Sequence, residues 1–127
     1  MYYGQGKNKK LDELYEILSD CWGIDTCAPR MRDNYSLDNK TLGQCSITAF
    51  LIQDLLGGLV YGVKLDDGNY HCFNYINNQI YDLTSEQFDH EFEYTLEHKQ
   101  SREIHFNKQE KYQRYLLLKD RYTKHNK

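Results

Sequence analysis

The chain is poor in several of the features that would assign it to a class at once. It has a single proline, a single tryptophan and no basic excess, with 16 Lys and Arg against 19 Asp and Glu and a net charge of −3. That balance removes any global attraction to nucleic acid or to an anionic membrane surface, so neither is expected as a partner. No apolar run approaches the length of a membrane span, and the opening Tyr2-Tyr3-Gly4-Gln5-Gly6-Lys7 lacks the charged-then-apolar order of a signal peptide. A cytoplasmic chain is the expectation. Cys21, Cys27, Cys45 and Cys72 include no C-x2-C pair, so in a reducing compartment they read as thiols rather than as a disulfide or zinc framework. Zinc held by Cys45, His71 and Cys72 is disfavoured further because His71 and Cys72 are adjacent on a predicted strand and point to opposite faces. No metal and no cofactor is expected.

What is present is a chain of 127 residues with twelve tyrosines and a negative mean hydropathy, enough for one domain, 1–127, with a real hydrophobic core. Leu11, Leu14, Tyr15, Leu18 and Trp22 recur at helical spacing and predict an amphipathic helix over 9–22. A loop rich in turn formers follows over 24–40 and leads to the most apolar helix of the chain. That helix runs from Cys45 to Leu56 between Gly43-Gln44 and Gly57-Gly58, and Ile47, Ala49, Phe50, Leu51, Ile52, Leu55 and Leu56 cover nearly every side. A helix apolar all round is a buried one. Cys45 stands in its first turn, where unpaired N–H groups and the helix dipole favour a thiolate.

Three apolar runs follow, 59–65, 70–76 and 79–83, separated by Asp66-Asp67-Gly68 and Asn77-Asn78. They predict an antiparallel meander. If Asn77-Asn78 is a two-residue turn, Ile76 faces Gln79, Tyr75 faces Ile80, Asn74 faces Tyr81 and Phe73 faces Asp82. His71 then shares a sheet face with Asp82 as its diagonal neighbour, and Asn74 lies on the opposite face.

Beyond the sheet, Thr84 followed by Gln87 has the spacing of a capping box. Asp82, Glu86, Asp89, Glu91, Glu93 and Glu97 precede His98 without an intervening Lys or Arg, which reads as a solvated face. Ile104-His105-Phe106 suggests a last short strand. A final helix is expected from about Lys111 to Tyr122, with Tyr112, Tyr115, Leu116 and Tyr122 on one side and a basic opposite side.

Cys45 at a helix start, His71 on a strand and Asp82 on the next strand are the residue types that nucleophilic catalysis requires. The sulfur attacks, the imidazole holds it as thiolate, and the carboxylate orients the imidazole. Gln44-Cys45-Ser46-Ile47-Thr48-Ala49, Gln53-Asp54-Leu55-Leu56-Gly57-Gly58, His71-Cys72-Phe73-Asn74 and Tyr81-Asp82-Leu83-Thr84-Ser85-Glu86-Gln87-Phe88 resemble the bacterial YunG-like family, whose function is unknown. The likeness runs from about Trp22 to Phe88 and resumes at Arg114-Tyr115-Leu116-Leu117. The wider order looks similar to papain-like and transglutaminase-like folds. By that likeness Cys45, His71 and Asp82 match nucleophile, base and orienting residue; Gln44 directly precedes the cysteine, unlike the better-separated glutamine of papain-like proteases, and is assigned an oxyanion role beside the Cys45 backbone N–H.

The expected fold is α+β, a buried central helix carrying Cys45 packed on an antiparallel sheet, with flanking N- and C-terminal helices. The expected function is a cysteine-dependent hydrolase or acyl transferase acting on an amide or thioester of a peptide, protein or small molecule. The alternative is a non-catalytic binding or regulatory module on the same fold.

Overall fold

The turn at Asn77 and Asn78 sets the sheet. In the computed structural model, which describes residues 2–125, both asparagines take the left-handed backbone conformation, with φ of 51° and 63°. Two such residues in succession form the tight hairpin turn whose twist matches the flanking strands. They join β3 (Tyr70–Ile76) to β4 (Gln79–Asp82) with Ile76 opposite Gln79, Tyr75 opposite Ile80 and Asn74 opposite Tyr81. This is the register expected from the turn. β2 (Leu59–Lys64) pairs antiparallel on the other side of β3. A short β1 (Tyr3–Gly4), with no periodic signal of its own, pairs with β4 and completes a four-stranded antiparallel sheet in the order β1-β4-β3-β2. The free edge of β2 is partly covered by residues 98–100, through Gly62 N–H to the His98 carbonyl at 2.9 Å and Gln100 N–H to the Val60 carbonyl at 2.8 Å.

One face of the sheet packs on helices. α1 (Lys9–Ser19) starts at Asn8, whose side chain accepts the Leu11 N–H, and turns Leu11, Leu14 and Leu18 inward. α2 (Cys45–Leu56) ends at Gly57, with φ of 79°. From Ser46 to Ile52 every α2 residue is buried, as expected for a helix apolar on nearly every side, whereas its last turn emerges and Leu55 is exposed. Cys72, Ile76, Tyr81 and Leu83 of the sheet region meet α2 in the same core, together with Trp22. Asn74 is buried on this side, its Nδ2 donating to the Ala49 carbonyl at 2.9 Å. The other face carries His71, Phe73 and Tyr61, covered by Phe88, Phe92 and Tyr94 through ring contacts.

Two expectations fail at the C-terminal end. Residues 104–106 are not a strand. They belong to α3 (Arg102–Phe106), a short helix that Ser101 caps by accepting the Ile104 N–H, so a local cap overrides the apolar triplet. α4 (Gln109–His125) buries Arg114, Tyr115 and Leu118, whereas Tyr112 and Leu116 stand 39% and 38% exposed. The inward face is rotated from the aromatic stripe because Arg114 is drawn in by carbonyl acceptors that its guanidinium satisfies.

Candidate active site

The entry to α2 is held from three directions. Gly43 has φ of 72°, a left-handed conformation suited to glycine, and a Cβ there would fall 2.6 Å from Cys27 Sγ and 2.8 Å from the Ala28 nitrogen. Its carbonyl accepts the Ala28 N–H at 3.0 Å and lies 3.5 Å from Arg114 Nη1, which also donates to the Thr26 carbonyl at 3.0 Å. Gln87 Oε1 accepts the Gly43 N–H at 3.3 Å. Cys45 is thus presented at the first turn of a buried helix, partly exposed, on the wall of a cleft of about 840 Å³ that His71 also lines.

His71 is 1% exposed and its Nε2 lies 2.6 Å from Asp82 Oδ2, with Asp82 equally buried. Asp82 accepts further from the Tyr94 hydroxyl at 2.7 Å, the Thr84 N–H at 3.2 Å and the Thr84 hydroxyl at 3.4 Å. Thr84 therefore turns back to the carboxylate and makes no side-chain cap bond to the 3₁₀ turn Ser85–Gln87. These donors satisfy the carboxylate oxygens that burial removes from water. The His71 ring is packed edge-on by Phe88 at 4.7 Å and stacked by Phe92 at 5.4 Å. With Nε2 engaged, Nδ1 is the nitrogen left, and it is buried without a conventional hydrogen bond. Cys45 lines the same cleft as His71, and its sulfur helps to raise the imidazole.

The electrostatics favour a charge-separated pair. The Cys45 thiol is held well below its usual value, first by hydrogen bonding from Cys72 and, against the opposing effect of burial, by the His71 ring and the Cys72 backbone. Burial works against a charged His71, yet the Asp82 carboxylate and the Cys45 sulfur outweigh it and raise the imidazole from 6.5 to about 10. Cys72 moves the other way, pushed well up by its hydrogen bond to Cys45 and by burial, so of the two thiols it keeps the proton. A thiolate beside an imidazolium at a helix N-terminus is the arrangement that activates cysteine.

The family model described as YunG protein matches residues 10–127. The chain belongs to the YunG family. It is 40% identical over 84 residues to "Uncharacterized protein YunG" of Bacillus subtilis (strain 168), a stretch covering 66% of this chain and 68% of that protein. No solved structure matches the chain.

In this YunG-family chain Gln44 is fully buried, and its Nε2 donates to the Gly23 carbonyl at 3.0 Å. The carboxamide donor is thereby occupied in the turn before α2, and Gln44 is not among the residues lining the cleft. The described residues hold no group of three or more His, Cys, Asp or Glu arranged for a metal ion, and no helix among them is long and apolar enough to cross a membrane. Reasoning from the sequence missed Tyr94, Phe92 and Phe88, which close over His71 and Asp82, because the carboxylates that alternate with them made the segment read as a solvated face; the alternation Phe88, His90, Phe92, Tyr94 was the signal that could have found them. It also missed the Cys45 to Cys72 interaction. Strand alternation does direct Cys72 toward the helix layer, but the position of the Cys45 sulfur against the start of β3, 4.0 Å from the Tyr70 carbonyl oxygen, is a matter of tertiary packing.

Proposed function

We propose that this YunG-family chain is a cysteine-dependent hydrolase or acyl transferase acting on an amide or thioester, on a core of the papain-like and transglutaminase-like kind. The observation that carries the reading is the 2.6 Å contact between His71 Nε2 and the buried Asp82 carboxylate, which leaves Nδ1 as the unpaired nitrogen of a residue that lines the same cleft as Cys45.

The Cys45 thiolate attacks the carbonyl carbon, and the negative charge moves to the carbonyl oxygen. Backbone N–H groups at the start of α2 have no acceptor within the helix and are the donors available to that oxyanion. The imidazolium of His71 passes its proton to the departing nitrogen or sulfur, leaving an acyl group on Cys45 and a neutral imidazole. Water, or an amine, thiol or alcohol acceptor, then attacks the acyl carbon as His71 removes its proton. Collapse releases the acyl product and restores the thiolate–imidazolium pair. Asp82 orients His71 and stabilises its charge throughout.

The test is acylation followed by intact-mass measurement. A simple acyl thioester or p-nitrophenyl ester is expected to add one acyl group to the wild-type protein, with none added to Cys45→Ala and slow addition to His71→Ala. An adduct that persists in Cys45→Ala, or wild-type acylation no faster than that of free cysteine, refutes the proposal and leaves a binding or regulatory module.

A further inference from the structure

The cleft beside Cys45 has the opposite charge balance to the chain. The protein carries a net charge of −3, yet the cleft wall holds five basic side chains, Arg30, Lys99, Lys108, Lys111 and Arg114, against Glu97 and Glu110. The two arginines are engaged, Arg114 with Glu110 at 2.7 Å and Arg30 with Asp67 at 3.5 Å. Among the described residues no ion pair is found for Lys99, Lys108 or Lys111.

Lys111 is the best placed of the three. It is the third residue of α4, half-buried, and its Nζ donates to His105 Nδ1 at 2.8 Å. His105 Nε2 in turn donates to Gln100 Oε1 at 2.8 Å, so the His105 tautomer is set with Nδ1 as acceptor. Burial lowers His105 to about 4, which keeps it neutral and spares Lys111 a like-charge neighbour. Among the described residues the remaining ammonium N–H donors of Lys111 have no hydrogen-bond partner, and Lys111 lines the cleft that Cys45 also lines. Burial lowers the Lys111 ammonium from its usual value, and the Cys72 and Cys45 sulfurs oppose that shift.

We propose that Lys111, flanked by Lys108 and Lys99, forms an anion subsite that selects acyl substrates carrying a carboxylate near the carbonyl presented to Cys45. This rests on the reading of Cys45 as an activated thiol. A carboxylate fits better than a doubly charged group because both arginines, the side chains suited to forked recognition of phosphate, are already paired. An ammonium supplied by a half-buried lysine positioned by a neutral histidine acts as a single point charge.

Two alkylating reagents of nearly equal size separate the two ideas. Iodoacetate carries the carboxylate and iodoacetamide does not, so the ratio of their rate constants at Cys45 reads the subsite while the iodoacetamide rate alone reads the thiol. The wild-type ratio is expected to exceed that of free N-acetylcysteine. Lys111→Gln should lower the ratio by roughly three- to tenfold, the order expected for one charge in partly screened surroundings. Lys111→Arg should restore most of it, high salt should compress it, and Lys124→Gln at the far end of α4 should leave it unchanged. Should Lys111→Gln fail to fold, Lys108→Gln on the exposed side of the cleft gives the same readout with a smaller decrease. A fast iodoacetamide reaction with a ratio that does not respond to Lys111 or Lys108 overturns the subsite alone. A Cys45 that reacts with iodoacetamide no faster than a free thiol overturns the activated-thiol reading and the subsite with it.

Discussion

Replacing Cys45 with alanine should change how stability depends on pH in a calculable way. In the unfolded chain the relevant values are 9.0 for the thiol and 6.5 for the imidazole. In the folded protein His71 is raised to about 10, so it contributes stability that is fully present below 6.5 and is lost as pH rises toward about 10. Cys45 is depressed, so it contributes stability that is present above 9.0 and is lost as pH falls through its folded value. Between 6.5 and 9.0 the unfolded pair holds its proton on sulfur and the folded pair holds it on His71. The number of bound protons is then the same in both states, and the pair adds no slope. In Cys45→Ala the Asp82 carboxylate still raises His71 but the Cys45 contribution is gone, so stability should decline by at most about 1.4 kcal/mol per pH unit across that window. Over the 2.5 pH units between the two reference values the difference between wild type and variant should grow by up to about 3 kcal/mol. Urea unfolding of both proteins at several pH values through the window measures it, and titrating groups that do not interact with Cys45 cancel in the difference. A difference that is flat with pH would falsify the thiolate–imidazolium assignment.

Asp82→Asn removes the carboxylate that holds the His71 charge. It should move the pH profile of Cys45 alkylation toward that of an ordinary thiol and cost about 3 kcal/mol or more of stability, since one partner of a buried pair is left behind. An alkylation profile superimposable on wild type would show that Asp82 has no hold on the pair. Cys72→Ala removes the largest influence lowering Cys45 and should raise its apparent pKa while leaving His71 bound to Asp82. Iodoacetamide rates against pH measure the first effect, and NMR titration of the histidine the second. Gly43→Ala should cost about 2 kcal/mol or more, because it forces alanine into a left-handed conformation against Cys27 and Ala28. A thermal midpoint within a degree or so of wild type would contradict the tight packing at the α2 entry.

The sheet register and the limits of α2 depend on short-range chemistry and were legible in the residues themselves. Asn77-Asn78 specifies a tight turn, alternation carries His71 and Asp82 to one face, and Gly57 stops a helix that has no polar side. The chain order of Cys45, His71 and Asp82 was legible for the same reason, and so was the family likeness.

The surroundings of these residues were decided by contacts between segments distant in the chain. Tyr94 reaches Asp82, and Phe88 and Phe92 enclose His71, from an acidic segment whose alternating rings do not by themselves say what they cover. Ser101 converts an apolar triplet into the first turn of α3. Arg114 rotates α4 by finding the Thr26 and Gly43 carbonyls, and Lys111 arrives at the cleft as a result. Gln44, next to Cys45 in the chain, is drawn away to Gly23. Local pattern determines which face of an element a side chain occupies. Which partner satisfies a buried polar group depends on what the folded chain brings within hydrogen-bonding distance, and that is set only when the segments pack.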